Sequence, residues 1–451
     1  MTPSQNHKEP QNDNAEKTLE LSTAEDTFKA TKKAKASAQP CRTEPTDKTE
    51  KAETTETETA TETKAAAESA DKAEKSKKSK LVIDLDRVDP DKEELEKRKK
   101  AKKRCLTPKQ RKKRRIIIIV SIILAIVLTA VMTLMILITD GRRQLIRNHD
   151  AIVTLPDIPD VAPENDGKTI VYKGKTYKLN ENITSILSMG IDKNNLNDAS
   201  GFGGNGQADA NFLLTIDTKT GKMCAIAINR DTMIDAGIYS ESGDYLGAQR
   251  QQLCLVYANG DGKKQSCENM MEAVSELFYG IPVSTYMAID LDAIGILNNA
   301  VGGVTVTSPH TFTGKGASFT KGETVTINDA TRAISFVGYR DVTRLNSNAE
   351  RMERQKIYLK AFAKKAIAKT KENLTFPLSL YNQTADYNIN NLNASKITYL
   401  TSCVIGGMKN VNLEILSVEG ETVQGEEFAE FTPDSQKLFE LILKVYYNEV
   451  K

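Results

Sequence analysis

Two aspartates lie beside apolar runs, where strands of a sheet would end or begin. Asp192 ends the apolar run 185–192, and Asp209 precedes the run 211–217. If the two runs are neighbouring strands, both carboxylates lie at one edge of the sheet and can share a hard cation such as Mg²⁺, which prefers oxygen ligands. Either aspartate can instead form a turn or cap a helix, so both interpretations stay open.

An arginine follows the next apolar segment, in the sequence INRDT at residues 228–232. Placing Arg230 at the exit of a buried strand costs free energy unless its guanidinium faces a cleft or a partner. A fixed guanidinium can hold phosphate oxygens through two parallel hydrogen bonds. The alternative is an ion pair with the neighbouring Asp231 or with another acid.

A third polar group lies in a helical segment that begins at Ser347. Arg351 and Gln355 are four residues apart and therefore lie on one face of that helix. Free N–H groups and the helix dipole add positive potential near the first turn, and Arg340 lies in the preceding loop. A solvated charged face is the alternative. Together, two acids and several Arg and Gln side chains at the ends of elements indicate a polyphosphate site.

Residue types argue against several other kinds of site. The chain has three histidines, His7, His149 and His310, so a histidine-based metal site or a Ser-His-Asp triad is not expected. The sequence contains no P-loop, GxSxG or HExxH motif. The six cysteines show no CxxC spacing, which argues against a zinc ribbon. We expect the cysteines of the globular part to be buried free thiols, with one disulfide as the alternative.

The elements that must position these residues begin near residue 183. We expect strands at 185–192, 211–217, 222–229 and 284–290. The second and third form a hairpin whose turn contains Gly221, a residue that readily adopts positive φ. Their long apolar runs predict a position near the centre of the sheet.

Helical patterns fall between and after these strands. Apolar residues at helical spacing predict helices at 267–280, 292–303, 327–338, 347–370 and 435–447. At the start of the fourth helix, Ser347 with Glu350 three residues later predicts a capping box. Strands that alternate with helices predict an α/β fold, in which helices flank both faces of a mixed central sheet as an α/β/α sandwich.

An uncharged run of 24 residues, 116–139, precedes the globular part. As a helix it is about 36 Å long, enough to cross the hydrocarbon core of a bilayer. Residues 97–115 contain thirteen Lys or Arg and no acid, whereas only Arg142 and Arg143 follow closely on the other side. The positive-inside rule therefore predicts a single-pass signal anchor in the cell membrane, with a cytoplasmic N-terminus and an extracellular C-terminal domain.

Composition divides the chain into further segments. Residues 1–115 are low in complexity and too poor in apolar residues to fold, so we expect a disordered, charged cytoplasmic tail with a basic cluster beside the membrane. We expect residues 140–182 to form an extracellular stalk with leading strands, and 183–370 to form the domain that carries the site. Residues 371–451 contain no motif and are expected to complete the outer domain.

Several segments together resemble one protein family. They read GQADANFLLTIDTKTGK, INRDT, ELFYGIPVSTYMAIDLDAIGILNNAVGGVTV, FVGYRD and RMERQ, after GID near Gly190. In this order they resemble the LytR-CpsA-Psr family of cell-wall ligases over about residues 183–370. The resemblance implies a phosphotransferase that moves a glycopolymer from an undecaprenyl-pyrophosphate carrier to a peptidoglycan sugar hydroxyl, forming a phosphodiester. It implies the membrane and peptidoglycan as partners, and no nucleic acid.

The resemblance also implies roles for residues at matching positions. Asp192 and Asp209 would hold Mg²⁺ or Mn²⁺ on the pyrophosphate. The phosphates would be bound by four side chains: Arg230, Arg340, Arg351 and Gln355. Asp231 would orient Arg230 or take a proton, which makes Arg230, Asp231 and Asp209 the expected catalytic group. Apolar side chains of the central hairpin and the helices would line a tunnel for the polyprenyl tail.

The sequence departs from the family pattern at three places. The family often has an Arg before the second acid, where this chain has Gly206 to Ala208, and an Arg where this chain has Gly338. It often has a Lys-Ile-Asn stretch where this chain begins with Gln252. Other residues, such as Arg250, would then have to substitute. The lost cations keep two alternatives open: a non-catalytic envelope regulator or scaffold, and a hydrolase that releases the polymer from its pyrophosphate carrier.

Overall fold

The computed structural model describes residues 94, 97, 107–146, 151–198, 204–240, 242–406 and 413–450. Most of the predicted cytoplasmic tail, 1–115, lies outside these described residues, as do Cys41 and Cys105. The other four cysteines are buried free thiols, as predicted: Cys224, Cys254, Cys267 and Cys403.

A long apolar helix, α1 (Pro108–Leu145), lies near the start of the described part. Thr107 caps it, because its Oγ1 accepts a hydrogen bond from Gln110 N–H at 3.4 Å and its own N–H donates to Gln110 Oε1 at 3.0 Å. The helix contains the whole uncharged run and is long and apolar enough to cross a membrane. It continues to Leu145, so the predicted stalk boundary at residue 140 falls inside a helix.

Eighteen strands follow within the described residues. In chain order they are β1 (Val161–Glu164), β2 (Thr169–Tyr172), β3 (Lys175–Leu179), β4 (Ile183–Ile191), β5 (Ala208–Asp217), β6 (Met223–Ile228), β7 (Met233–Tyr239), β8 (Tyr245–Gln252), β9 (Thr285–Ile289), β10 (Val304–Thr307), β11 (Phe312–Gly314), β12 (Ala317–Phe319), β13 (Thr324–Ile327), β14 (Asn388–Asn390), β15 (Leu413–Ser417), β16 (Gly420–Gln424), β17 (Ala429–Pro433) and β18 (Tyr447–Val450).

Eight α-helices accompany them within the same residues. They are α2 (Leu253–Ala258), α3 (Lys264–Leu277), α4 (Leu291–Ala300), α5 (Ala330–Gly338), α6 (Ser347–Glu372), α7 (Phe376–Gln383), α8 (Ala394–Gly406) and α9 (Ser435–Tyr446). The helices α3, α4, α5, α6 and α9 correspond to the five predicted from apolar spacing.

The central sheet has six strands in the order β14-β9-β4-β5-β6-β15. β4 pairs with β9 in parallel and with β5 in antiparallel register, while β15 pairs in parallel with β6. β5 and β6 form the predicted hairpin, and Gly221 in its turn has φ 73°. The sheet is therefore mixed, with the hairpin near its centre, as predicted. β1, β2, β3 and β18 form a second sheet, and β7–β8, β10–β13, β11–β12 and β16–β17 form two-stranded pairs.

Helices cover both faces of the central sheet. On one face, Leu187 of β4 lies in a large core with Tyr257 of α2 and Phe439 of α9. On the other face, Ile186 packs against Tyr399 of α8 and the end of α1. A third core packs α5 and α6 against the short strands β10 to β13. The predicted α/β class is confirmed, because successive residues of β4 point to opposite faces and both faces are covered.

The capping box predicted at the start of α6 is wrong. The N-cap of this helix is Asn346, which makes no side-chain capping bond. Glu350 pairs with Arg344 instead, and Ser347 Oγ accepts a hydrogen bond from Arg340 Nε at 3.3 Å. The two residues that would form the box are thus held by arginines of the preceding loop, which ties that loop to the helix.

Candidate functional site

Asp209 is directed outward by an irregularity at the start of β5. In the pairing with β4, Ala210 lies opposite Gly190 and Ala208 lies opposite Ile191, so Asp209 is the extra residue of a β-bulge. A bulge re-aims the side chain of the inserted residue and is common beside active sites. The carboxylate of Asp209 consequently reaches groups that lie beyond its own strand.

Asp192 lies at the same end of the neighbouring strand. Its N–H donates to Gln207 O at 3.1 Å, and its Oδ1 accepts a hydrogen bond from Gln207 N–H. The structure therefore brings Asp192 and Asp209 to one edge of the sheet, with Gln207 between them. The Asp192 side chain is exposed, whereas that of Asp209 is 21% exposed.

Arg230 lies in a tight turn that follows β6. The turn closes because Thr232 N–H donates to Asn229 O at 3.1 Å and Asp231 N–H donates to Asn229 Oδ1 at 2.9 Å. The buried guanidinium of Arg230 donates to one oxygen of Asp209, to Gln207 Oε1 and to Asp231 Oδ1, the last at 3.2 Å. The expected ion pair with Asp231 therefore exists, but Arg230 also pairs with Asp209 of the neighbouring strand β5.

Arg351 reaches the same carboxylate from helix α6. Its Nη1 donates to Asp209 Oδ2 at 2.5 Å and its Nη2 to Asn348 Oδ1 at 2.9 Å. Arg351 is only 3% exposed, and its Nε has no hydrogen-bond partner among the described residues. Burial, helped by the nearby charges of Arg230 and Arg340, lowers the pKa of Arg351 to about 10. Arg351 is therefore still a cation at neutral pH, and its guanidinium has further N–H donors besides the two that Asp209 and Asn348 accept.

Two amide side chains whose roles were not predicted from the sequence form hydrogen bonds to the charged residues of this cluster. Asn348 Nδ2 donates to Asn229 Oδ1 at 2.7 Å and to Asp231 Oδ2 at 3.0 Å. Gln252 Nε2 donates to Asp231 Oδ1 at 3.3 Å. Asp231 thus accepts hydrogen bonds on both oxygens, from Asn348, Gln252 and Arg230. Asn348 lies in the first turn of the predicted helix that also carries Arg351. That position is the feature of the sequence that could have indicated a role for Asn348 in the site.

The remaining expected phosphate ligands lie beside this cluster. Arg340 is half-buried in the loop before α6, close enough to Arg351 to affect its pKa. Gln355 is buried, and its Nε2 donates to Val337 O at 3.1 Å, at the end of α5. Arg354 is fully buried over the Phe312 ring at 4.3 Å from its centroid, so it packs the fold rather than the site.

Comparison with known proteins supports the resemblance. The sequence model of the LytR_cpsA_psr family matches residues 160–443, more than half of the chain. The chain belongs to the LytR-CpsA-Psr family. It is 31% identical to the polyisoprenyl-teichoic acid–peptidoglycan teichoic acid transferase TagV of Bacillus subtilis over 128 residues, which is 28% of either chain. It is 22% identical to the transferase TagU of Oceanobacillus iheyensis over 295 residues, 65% of this chain and 85% of TagU.

A solved structure is also similar. The crystal structure of Bacillus subtilis TagV aligns with 58% of this chain and 94% of its own, at 23% identity and a TM-score of 0.44. The segments that suggested a LytR-CpsA-Psr protein, residues 183–370, lie inside the matched range 160–443. The family resemblance predicted from the motifs is therefore confirmed.

This LytR-CpsA-Psr protein has glycine at two positions where the family pattern often has an arginine, and the two positions differ in the space available for a side chain. Gly206 has φ 83°, and a Cβ there would lie 2.9 Å from Ile191 Cγ2 and 3.0 Å from Asp192 Oδ1. A side chain at this position would therefore strain the backbone and press on the acid. Gly338, by contrast, is exposed, and a Cβ added there would meet nothing within 4 Å among the described residues. Arg250 pairs with the exposed Asp235 across the β7–β8 hairpin, at 3.6 Å.

A half-buried face of the central sheet leads away from the charged cluster. Phe212 lies opposite Ser188, and Ser188 lies opposite Met287, so the three side chains form one row across the sheet. All three are half-buried, on the same face as Ile186. Lys356 of α6 donates to Ser417 Oγ at 3.0 Å in the same row. A partly open face that combines the apolar side chains of Phe212 and Met287 with polar ones thus lies beside helix α6, which carries Arg351.

Proposed function

We propose that this LytR-CpsA-Psr protein is a membrane-anchored phosphotransferase that moves a glycopolymer from an undecaprenyl-pyrophosphate carrier to a sugar hydroxyl of peptidoglycan. The relatives TagV and TagU are named as teichoic acid transferases that act on peptidoglycan. The observation that carries the proposal is the convergence of Arg230 and Arg351 on Asp209, at the edge of a partly apolar sheet face. A buried pair of guanidinium groups beside an apolar face suits a donor with a charged pyrophosphate and a lipid tail.

The arginines bind the pyrophosphate and stabilise the charge that develops during transfer. The acceptor hydroxyl oxygen attacks the phosphorus that carries the polymer, and the bond from that phosphorus to the bridging oxygen breaks. Polyprenyl phosphate leaves with the bonding electron pair, and the hydroxyl proton passes to a carboxylate or to water. Positioning and positive charge around the phosphate oxygens supply most of the catalysis in such a reaction. Arg230, Arg351 and Arg340 provide that charge, and Gln355 lies beside them.

The carboxylates have separate roles in this mechanism. Asp231 accepts hydrogen bonds from Arg230, Asn348 and Gln252, so it orients Arg230 rather than taking a proton. Asp209 accepts a guanidinium hydrogen bond on each oxygen, from Arg230 and Arg351, so its role is to hold the two arginines together. Both roles follow from the hydrogen bonds that each acid already makes.

In this proposal Asp192 and Asp209 would hold a divalent cation, Mg²⁺ or Mn²⁺. They supply two hard oxygen ligands at one sheet edge, and Mg²⁺ commonly takes one or two carboxylates and completes its shell with water and phosphate. The described residues contain no cluster of three His, Cys, Asp or Glu that would offer a fuller protein shell. When bound, the cation neutralises pyrophosphate charge and helps the lipid phosphate to leave. Asp209 must then share its oxygens between the cation and the two arginines.

The apolar face and helix α1 account for the lipid donor. The tail lies along the half-buried row that contains Phe212 and Met287, and the apolar helix anchors the protein in the cell membrane. The thirteen cations before the uncharged run orient the N-terminus towards the cytoplasm, which puts the site outside with the peptidoglycan.

One assay tests the proposal against its two alternatives. The full chain is reconstituted in vesicles that contain a polyprenyl-pyrophosphate-linked oligosaccharide, with and without peptidoglycan and Mg²⁺. If the protein is a transferase, labelled oligosaccharide should become attached to peptidoglycan, and only when Mg²⁺ is also present. Free phosphorylated oligosaccharide without acceptor would instead support the hydrolase, and binding without turnover would support a scaffold or regulator.

A further inference from the structure

The end of helix α1 is built into the domain. Gly141 is buried in the last part of the helix, where a Cβ would overlap the backbone carbonyl of Ser395 and crowd Tyr399 Cβ. Glycine inside a helix costs about 0.5–1 kcal/mol relative to alanine. Here it permits a contact between helix backbones that a larger residue would prevent. The glycine therefore marks a close contact between α1 and α8.

Further contacts hold the last turn of the helix. Leu145 is fully buried among Ile186, Ile216 and Tyr399. Its carbonyl, one of the free acceptors at the end of a helix, accepts a hydrogen bond from buried Thr184 Oγ1 at 3.0 Å. We call the contact of Gly141 and Leu145 with α8 and the sheet the seat. The seat buries the apolar surface at the end of the helix and gives the backbone carbonyl of Leu145 a hydrogen-bond donor.

The seat begins where the uncharged run ends. Ile138, inside that run, already packs against the cluster around Leu145, and Asn393 Nδ2 donates to Gln144 Oε1 at 2.9 Å. A helix that is continuous from Pro108 to Leu145 leaves no loop between the apolar run and the domain. The seat therefore couples the orientation of the domain to that of the helix.

The seat also lies on the side of the sheet that adjoins the charged cluster. Ile186 of the seat lies opposite Leu214, and Phe212 follows on the same face. From Thr184 to Asp192 the chain advances by eight residues, about 26 Å at the usual rise per residue of a strand. The face thus runs from buried Thr184 and Ile186 at the seat to half-buried Ser188 and Gly190 near the acids, along the length of β4.

We propose that the seat is a positioning device: it holds the sheet face against the bilayer so that a membrane-embedded lipid donor enters beside α1 and reaches the arginines. This inference rests on the proposed function. A flexible tether would let the domain turn its sheet face away from the bilayer, and fixed orientation is a large source of rate in reactions between bound partners. The seat is then a determinant for donors held in a membrane, not for soluble ones.

Two matched insertions test the seat. A short Gly-Ser insert between Thr139 and Asp140 separates the seat from the membrane segment, whereas the same insert between Ile146 and Arg147 lies beyond the seat. We expect the first to lower transfer from a long-chain donor in vesicles by about tenfold, and the second by less than about twofold. With a short-chain, detergent-soluble donor, both should match the unmodified chain. Equal transfer by the two insertion chains from vesicles would overturn the proposal.

A crosslink reports the seat without any activity. In the full chain with Cys41→Ser and Cys105→Ser, the pair Gln144→Cys and Asn393→Cys should react with a short bifunctional thiol reagent in the membrane. The pair Gln144→Cys and Asp235→Cys is the control, because the hairpin that carries Asp235 packs on the opposite face. Gly141→Leu should abolish the first crosslink.

The crosslink and the transfer assay separate two failures. If the Gln144–Asn393 crosslink does not form in the membrane, the seat does not exist there, and the proposal is overturned whatever transfer activity is measured. If the crosslink forms and the unmodified chain transfers no donor at all, the proposed function is wrong, and the positioning role is overturned with it.

Discussion

Arg351 Nη1 lies 2.5 Å from Asp209 Oδ2, while Arg230 holds the other oxygen of the same carboxylate. One acid thus keeps two buried cations together, although they repel each other and that repulsion contributes to the lowered pKa of Arg351. The two arginines come from distant parts of the chain, the turn after β6 and helix α6. A change at any one of the three residues should consequently alter the other two.

Replacing Arg230 by alanine should remove transfer while leaving the fold intact. The substitution takes away one of the donors that we propose to hold the pyrophosphate, and losing one such donor typically costs about 10²–10³ in rate. The measurement is kcat in the vesicle assay, with the thermal unfolding curve as a check on folding. Arg250→Ala is the control, because Arg250 is exposed and pairs only with Asp235 among the ion pairs of the described residues. A full rate with Arg230→Ala would disprove the assigned site.

Arg351→Lys should make activity depend on pH. Burial and neighbouring cations lower the pKa of Arg351 from 12.5 to about 10, and the same surroundings should lower the pKa of a lysine at this position below its ordinary value of about 10.4. A base with a lowered pKa is charged below that pKa and neutral above it. Transfer by the variant should therefore be lost at a lower pH than transfer by the native chain, in which Arg351 keeps its charge.

Stability of the same variant should change in the opposite direction. Between the folded and unfolded pKa values of the lysine, the unfolded chain binds more protons, so the free energy of unfolding rises with pH. If the side chain at this position acted only through folding, transfer activity would follow stability, and both would rise with pH. Parallel pH profiles of kcat/KM and of the unfolding midpoint, for variant and native chain, distinguish the two.

The alternation of apolar runs and polar ends was enough to predict that Asp192, Asp209 and Arg230 lie at the ends of strands. It was also enough to predict the hairpin that connects Asp209 to Arg230. These features are local, because strand periodicity and turn residues can be read over short windows. The bulge at Asp209 was not predicted, since one extra residue in a strand leaves the apolar pattern nearly unchanged. Strand β15 was not predicted either, because it pairs with β6 over a long separation in sequence and carries no motif.

The capping box shows how distant contacts override a local motif. Ser347 and Glu350 match the pattern, yet Arg340 and Arg344 of the preceding loop take both side chains. The amide of Asn348 was missed for a related reason. An asparagine in the first turn of a helix usually faces solvent, and only the folded chain brings Asp231 to within 3.0 Å of it.

Asn348→Ala should weaken both the site and the fold. The change removes a partner from Asp231 and one from Arg351, and leaving a buried charged group underpaired costs about 1–3 kcal/mol. We expect the free energy of unfolding to fall by that amount in urea titrations. We also expect kcat to fall more than KM changes, because Arg351 loses its orientation. Asn346→Ala is the matched control, since Asn346 is exposed and makes no capping bond; equal losses in both variants would contradict the role of Asn348.

Two arginine substitutions should have opposite results, although both restore a cation of the family pattern. Gly338→Arg adds a side chain to an exposed position with open space, beside Arg340, and improves a helical residue by up to about 1 kcal/mol. It should leave the fold intact and lower KM for the pyrophosphate donor a few-fold, with less effect at high salt.

Gly206→Arg should instead damage the protein. The left-handed backbone at Gly206 costs any other residue about 1–2 kcal/mol, and its Cβ would press on Asp192 Oδ1. We expect a lower unfolding temperature and weaker Mg²⁺ dependence of transfer, because the displaced acid is one of the two carboxylates that we propose would hold the cation. Gly206→Ala separates the causes: it carries the same backbone strain without the charge, so it should reproduce most of the loss. Higher activity in Gly206→Arg would show that the missing cation, rather than the backbone of this turn, limits the enzyme.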